Sequence, residues 1–147
     1  MKRSNAVGER DLAKILQGLA PRLGSNDYTF CTVPSRRVQD LERLVMVQPL
    51  LMFREQEGVT LIVRTSEAER LGLGGSSGWR RITLLAHSHL EAAGLTAAIS
   101  MALAEQGIPA NMVAGYFHDH VFVPTPRADE AVEVLLGLAR DASASVS

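Results

Sequence analysis

All four histidines of the chain fall in two close pairs, His87 with His89 and His118 with His120. His-x-His spacing on a strand carries two imidazoles to one face, an arrangement that suits zinc or nickel. The second pair encloses Asp119, so His118-Asp119-His120 also has the parts of a proton relay. Three readings stand open. The pairs belong to a metal-binding protein or metal-dependent enzyme using His87 and His89 or His118 and His120, to an acid–base relay, or to polar positions of structural value. No Ser, Cys or paired carboxylate stands in a recognisable nucleophile or acid–base motif. The expectation is therefore a protein that is not an enzyme, with no catalytic residues, no resident metal and no cofactor. Cys31, the single cysteine, lies in "YTFCTV" with no disulfide partner and no base beside it, and reads as a buried free thiol.

The elements that would position these residues follow from periodicity. "ERDLAKILQGLAP" places Leu12, Ile15, Leu16 and Leu19 on one helical face, with Pro21 and Gly24 as its stop. "YTFCTV" reads as a strand, and "LLMFRE" and "VTLIV" as a hairpin turning at Gln56-Glu57-Gly58. "SRRVQDLERLVMV" is ambiguous between a short helix and a loop. "TSEAERLGL" opens a short helix in which Ser66 and Glu69 have capping-box spacing. "GLGGSSG" (Gly72–Gly78) reads as a flexible internal boundary. Beyond it, "WRRITLLAH" is a strand. "LEAAGLTAAISMALAEQG" is a helix with Leu95, Ala98, Ile99, Ala102 and Leu103 inward and Gly107 as its stop. "IPANMVAGYF" and "HVFVP" read as strands joined at His118-Asp119. Thr125-Pro126 opens a last helix lined by Ala131, Val132, Leu135, Leu136 and Ala139.

The order after Gly78 is β-α-β-β-α, and "EGVTLIVRTSEAERL" echoes "HDHVFVPTPRADEAVEVL". This predicts an α+β fold of two ferredoxin-like βαββαβ units, residues 9–75 and 76–142. Six strands are visible where two complete units need eight, so the halves are expected to complete one sheet between them by exchanging a strand. With the first and third strands of a unit taken as parallel, His87 and His89 fall at the opposite end of the sheet from His118 and Asp119. At ~3.3 Å per residue the separation is roughly 20 Å, too far for ligands at ~2 Å from one metal. The histidines then form two separate pairs, one of which borders a ligand site.

Composition narrows the class. Hydrophobic residues make up 46% of the 147 positions and charged residues 21%, a globular balance. The formal charge of −1 supplies no field for a phosphate backbone, so no nucleic-acid partner is expected. No apolar run approaches ~20 residues and "MKRSNAVGERD" has no signal-peptide core, so no membrane partner is expected and the cytoplasm is the expected location.

The stretch from Ile82 to Val123, with Gly94 after an apolar strand and "GIPANMV" opening the next, resembles an ACT domain. "EGVTLIV" and "GYFHDHVFV" extend the likeness, and the whole chain looks like a family of short bacterial proteins of unknown function built from two ACT-like units. The resemblance implies a regulatory or sensor module that binds an amino acid near its first loop, at an interface between modules, and performs no chemistry. The residues agree without it. "LEAAGL" presents free N–H groups at a helix start, where the helix dipole favours a carboxylate. Glu91 and Asn111 are candidate acceptors for an ammonium group. The candidate ligand-binding residues are His89, Glu91, Ala93, Gly94, Leu95 and Asn111. Low charge in the edge strand "IPANMVAGYF" further suggests a homo-oligomer, a dimer or larger. A ligand-free dimerisation module is the remaining alternative.

Overall fold

The architecture is that of a computed structural model, which describes residues 12–34, 45–86 and 93–145. Helix α1 covers 12–17 and leads into strand β1 (Pro21–Val33). A hairpin of β2 (Leu51–Arg54) and β3 (Val59–Arg64) runs into α2 (Thr65–Leu71). Then come β4 (Gly75–Leu84), α3 (Leu95–Glu105), a second hairpin of β5 (Asn111–Ala114) and β6 (Asp119–Pro124), and α4 (Ala128–Ala144) after one 3₁₀ turn. The six strands form one sheet in the order β2-β3-β1-β4-β6-β5. The chain adopts the expected α+β fold, with six strands among the described residues.

Two compact units share these elements. One is Ser25–Trp79; the other joins Met1–Gly24 to Arg80–Ser147. Both long strands therefore carry residues of both units, which is the strand exchange that the count of six required. The core of the discontinuous unit packs Leu16 and Leu19 with Ile82 and Leu84 of β4, Leu95, Ile99 and Leu103 of α3, Val121 and Val123 of β6, and Ala131 and Leu135 of α4. The core of Ser25–Trp79 packs Cys31 and Val33 against Val59, Leu61, Val63 and Ala68. Most of the inward faces expected of both long helices pack in this core, but Ala102 and Leu136 do not belong to it, and Val134 and Leu138 pack against it instead; Cys31 is a buried free thiol.

The two hairpins are structural copies. Each residue of the first has its counterpart 60 positions on, from Leu51 with Asn111 to Arg64 with Pro124. Phe53 pairs with Thr60 as Val113 pairs with His120. Glu55 N–H donates to the Gly58 carbonyl at 2.8 Å, and Gly115 N–H to the His118 carbonyl at 2.9 Å. The buried triplet Leu61-Ile62-Val63 is matched by Val121-Phe122-Val123.

Several expectations are corrected. Strand β1 begins at Pro21, seven residues before "YTFCTV", because Pro21 and Gly24 serve as strand residues once α1 has ended. The "GLGGSSG" run is only partly a connector: Gly75–Gly78 is the start of β4. A Cβ at Gly75 would stand 2.1 Å from the Phe30 carbonyl oxygen, so glycine is there for close strand approach rather than for freedom. The Ser66–Glu69 capping box does not form. Strand β3 passes into α2 without a loop, Arg64 takes the cap position, and Ser66 lies inside the first turn. Strand β5 is four residues, shorter than "IPANMVAGYF", and the hairpin tip is Tyr116-Phe117 rather than His118-Asp119. Finally, the first and third strands of a unit are antiparallel: β1 and β3 pair from Tyr28 with Arg64 to Val33 with Val59.

Candidate ligand site

That strand direction changes the geometry around the histidines. Ile82, Leu84, Val121 and Val123 point into the helix-covered core, so by strand alternation Thr83 and His120 occupy the other face of the sheet. There Thr83 Oγ1 lies 2.9 Å from His120 Nδ1. The last residues of β4 thus adjoin the first of β6, so the parallel strand direction from which the separation of the histidine pairs was reasoned does not hold. His87, His89 and Glu91 lie outside the described residues. Among the described residues no group of three or more His, Cys, Asp and Glu side chains could hold a metal ion.

His120 is half-buried, and its pKa is held below 6.5. Desolvation is the main cause. Arg81 and His118 add to it electrostatically, and Asp119 opposes them. The imidazole is thus favoured in its neutral form.

Helix α3 supplies the second part of the site. Gly94 caps it at φ 89°, a left-handed backbone that glycine adopts without steric cost. No side chain caps this terminus, and its first turn has no acidic residue. The first turns of α2 and α4 carry Glu67, and Asp129 with Glu130. Ala98 N–H makes the first intrahelical bond, to the Gly94 carbonyl, leaving the preceding N–H groups directed out of the helix start. Ala93, Gly94, Thr96 and Ala97 are exposed, whereas the Leu95 side chain is buried in the core.

Asn111 is not brought to this terminus. It opens β5 and pairs with Phe122, beside the other end of α3. Arg127, just past β6, donates to the Gln106 carbonyl at that same end. Eleven helical residues separate the ends of α3, roughly 16 Å. Thr83 and Gly115 were missed as neighbours of His120. The signal for Gly115 was present, since aligning the two hairpins sets Glu55 against Gly115 and Thr60 against His120.

Two family models described as ACT domain match the chain, one over residues 7–80 and one over 75–136. The chain belongs to the ACT-domain family. A Vibrio cholerae protein of unknown function, described as a possible transport protein, is 42% identical. The alignment covers 90% of this chain and 98% of that one, with a TM-score of 0.77. The fold is also that of the regulatory subunit of Thermus thermophilus aspartate kinase in its ligand-free form, at 10% identity, with 82% and 97% covered and a TM-score of 0.63. Clostridium acetobutylicum aspartate kinase matches at 15% identity and a TM-score of 0.64 over 82% of this chain and 34% of its own. No curated protein matches the chain. In this tandem ACT protein, no helix among the described residues is long and apolar enough to cross a membrane.

Proposed function

We propose that the chain is a regulatory, non-enzymatic module that binds a small carboxylate ligand, an amino acid, at the start of α3. Its duplicated segments, residues 9–75 and 76–142, are taken as the two ACT-like units, and it works as a homo-oligomer in the cytoplasm. The observation that carries the ligand reading is the terminus of α3: a left-handed Gly94, no side-chain cap and no acid in the first turn. An incoming carboxylate there meets backbone N–H groups and the positive end of the helix dipole. Ala93, Gly94 and Leu95 contribute backbone, and His89 and Glu91 remain candidates for the ligand's other groups. Asn111 is left out of this site by its place at the far end of α3. The regulatory aspartate kinase structures of the same fold, and the tandem ACT matches, support a sensor over an enzyme.

A thermal-shift panel of amino acids tests this. A ligand at a hundred times its Kd stabilises by ~2.7 kcal/mol, a rise of several degrees at this size. Thr96→Asp places a carboxylate in the exposed first turn. It is expected to raise the ligand-free Tm through the dipole and to abolish the ligand response. A wild type that no amino acid shifts overturns the reading; a shift that survives Thr96→Asp places the ligand elsewhere.

A further inference from the structure

Among the described residues the sheet has two edges, β2 and β5, which are the same position of the duplicated hairpin. Their surfaces differ. The charge-poor strand β5 exposes Asn111 and Ala114, and α3 before it ends in exposed Glu105 and Gln106. Strand β2 exposes Met52, Phe53 and Arg54, and the helical residues before it, Val45 and Met46, are exposed too. From Val45 to Phe53 the chain carries no charged residue. Val45 is 65% exposed, Met46 83%, Leu50 42%, Met52 40% and Phe53 62%. At about 200 Å² per large side chain, that is roughly 550 Å² of apolar surface, a large share of the about 800 Å² that each partner gives to a standard interface.

We propose that β2 is the interface of a two-fold homodimer, in which it pairs antiparallel with β2 of a second copy. The hydrogen-bond register favours a strand as the occupant. Glu55 N–H donates to the Gly58 carbonyl, so the hydrogen-bonded pairs alternate back along the hairpin through Phe53–Thr60 and Leu51–Ile62. Met52 and Arg54 fall between them and direct their N–H and C=O groups away from β3, toward the edge. A second β2 offers the complementary groups. Pairing centred on Met52 sets each Phe53 opposite the partner's Leu51, apolar against apolar. Centring on Arg54 is disfavoured, because it sets two guanidinium groups opposite each other. The uncharged run from Val45 to Phe53 also lacks the repulsion that ordinarily keeps identical edges apart. A contact that uses the same strand of both copies closes at two. This rests on the homo-oligomer reading above, and assigns its surface to β2 rather than to β5.

Light scattering at high micromolar concentration should show the wild type as a dimer. Phe53→Lys puts a charge on the exposed edge. It should bring the mass down to that of one chain while a cooperative thermal transition remains. Ala114→Lys places the same charge at the exposed end of β5 and should leave the dimer intact. In the wild type, hydrogen exchange of the Met52 amide should slow as concentration rises through the dimerisation range, a measurement that decides even if Phe53→Lys unfolds. A monomeric wild type overturns the homo-oligomer reading and this proposal with it. An oligomer that persists in folded Phe53→Lys overturns the proposal alone. So does a Met52 amide whose exchange is independent of concentration, or a folded Ala114→Lys that has become monomeric.

Discussion

His120 is where a single residue sets a measurable property of the fold. Its folded-state pKa lies below 6.5, chiefly through burial and then through Arg81 and His118. The unfolded chain therefore binds the proton first as pH falls. Stability is full above 6.5 and is lost as pH drops toward the folded pKa. Urea midpoints measured on either side of that interval should show the protein weaker in acid. His120→Gln should flatten this part of the profile, leaving what the other histidines and the carboxylates contribute. An unchanged slope in the variant would remove His120 as its source. The histidine spacing was legible in the sequence, but its meaning was not. Four histidines in two pairs do not reveal which strands are neighbours or which way they run. One wrong direction for the strands was enough to hide that the end of β4 adjoins the start of β6. Residue types alone also gave no sign that Thr83 would hold the ring.

At the scale of elements, periodicity was a good guide wherever a long helix packs on the sheet. Leu95, Ile99 and Leu103, and Ala131 with Leu135, all lie in the core. It failed at boundaries, where strand pairing overrides local signals. Ser66 has the residue type and spacing of a cap, yet β3 stays paired up to Arg64 and leaves no room for one. The paired halves also expose a local strain. Each hairpin is entered through a left-handed residue that closes a helical turn: Gly107 at φ 65°, donating to Ala104, and Gln48 at φ 49°, donating to Val45. Glycine adopts this conformation freely, while a residue with a Cβ loses ~1–2 kcal/mol. Gln48→Gly should therefore stabilise the protein, by about 0.5–1 kcal/mol once the added freedom of the unfolded chain is set against the relief. Chemical denaturation reads this directly. A destabilised variant would mean that the Gln48 side chain makes contacts worth more than the strain.

For the whole molecule, the consequence of threading two long strands through both units is that the chain should not be divisible at its glycine-rich centre. Duplication in sequence suggests a cut near residue 75, and the family matches meet there, at 7–80 and 75–136. The packing divides differently, because Met1–Gly24 belongs with Arg80–Ser147. A fragment of residues 76–147 would lack Leu16 and Leu19, both buried in its core, and the Leu85 N–H bond to the Leu19 carbonyl. Two buried leucines account for about 3–6 kcal/mol, against a total stability of roughly 5–15 kcal/mol for a domain. A fragment of residues 1–75 would lose all of β4 beyond Gly75, and with it the edge-to-face contact of Trp79 with Phe30 at 5.6 Å. Each fragment alone is expected to show no cooperative thermal transition by circular dichroism. Mixing the two should restore one, since the missing pieces are supplied in trans. Gly75→Ala tests the same idea in the intact chain. Its Cβ would stand against the Phe30 carbonyl oxygen, so the loss should exceed the ~1 kcal/mol typical of a point mutation. A fragment of residues 76–147 that melts cooperatively by itself would show that the first 24 residues are dispensable to the unit they pack with.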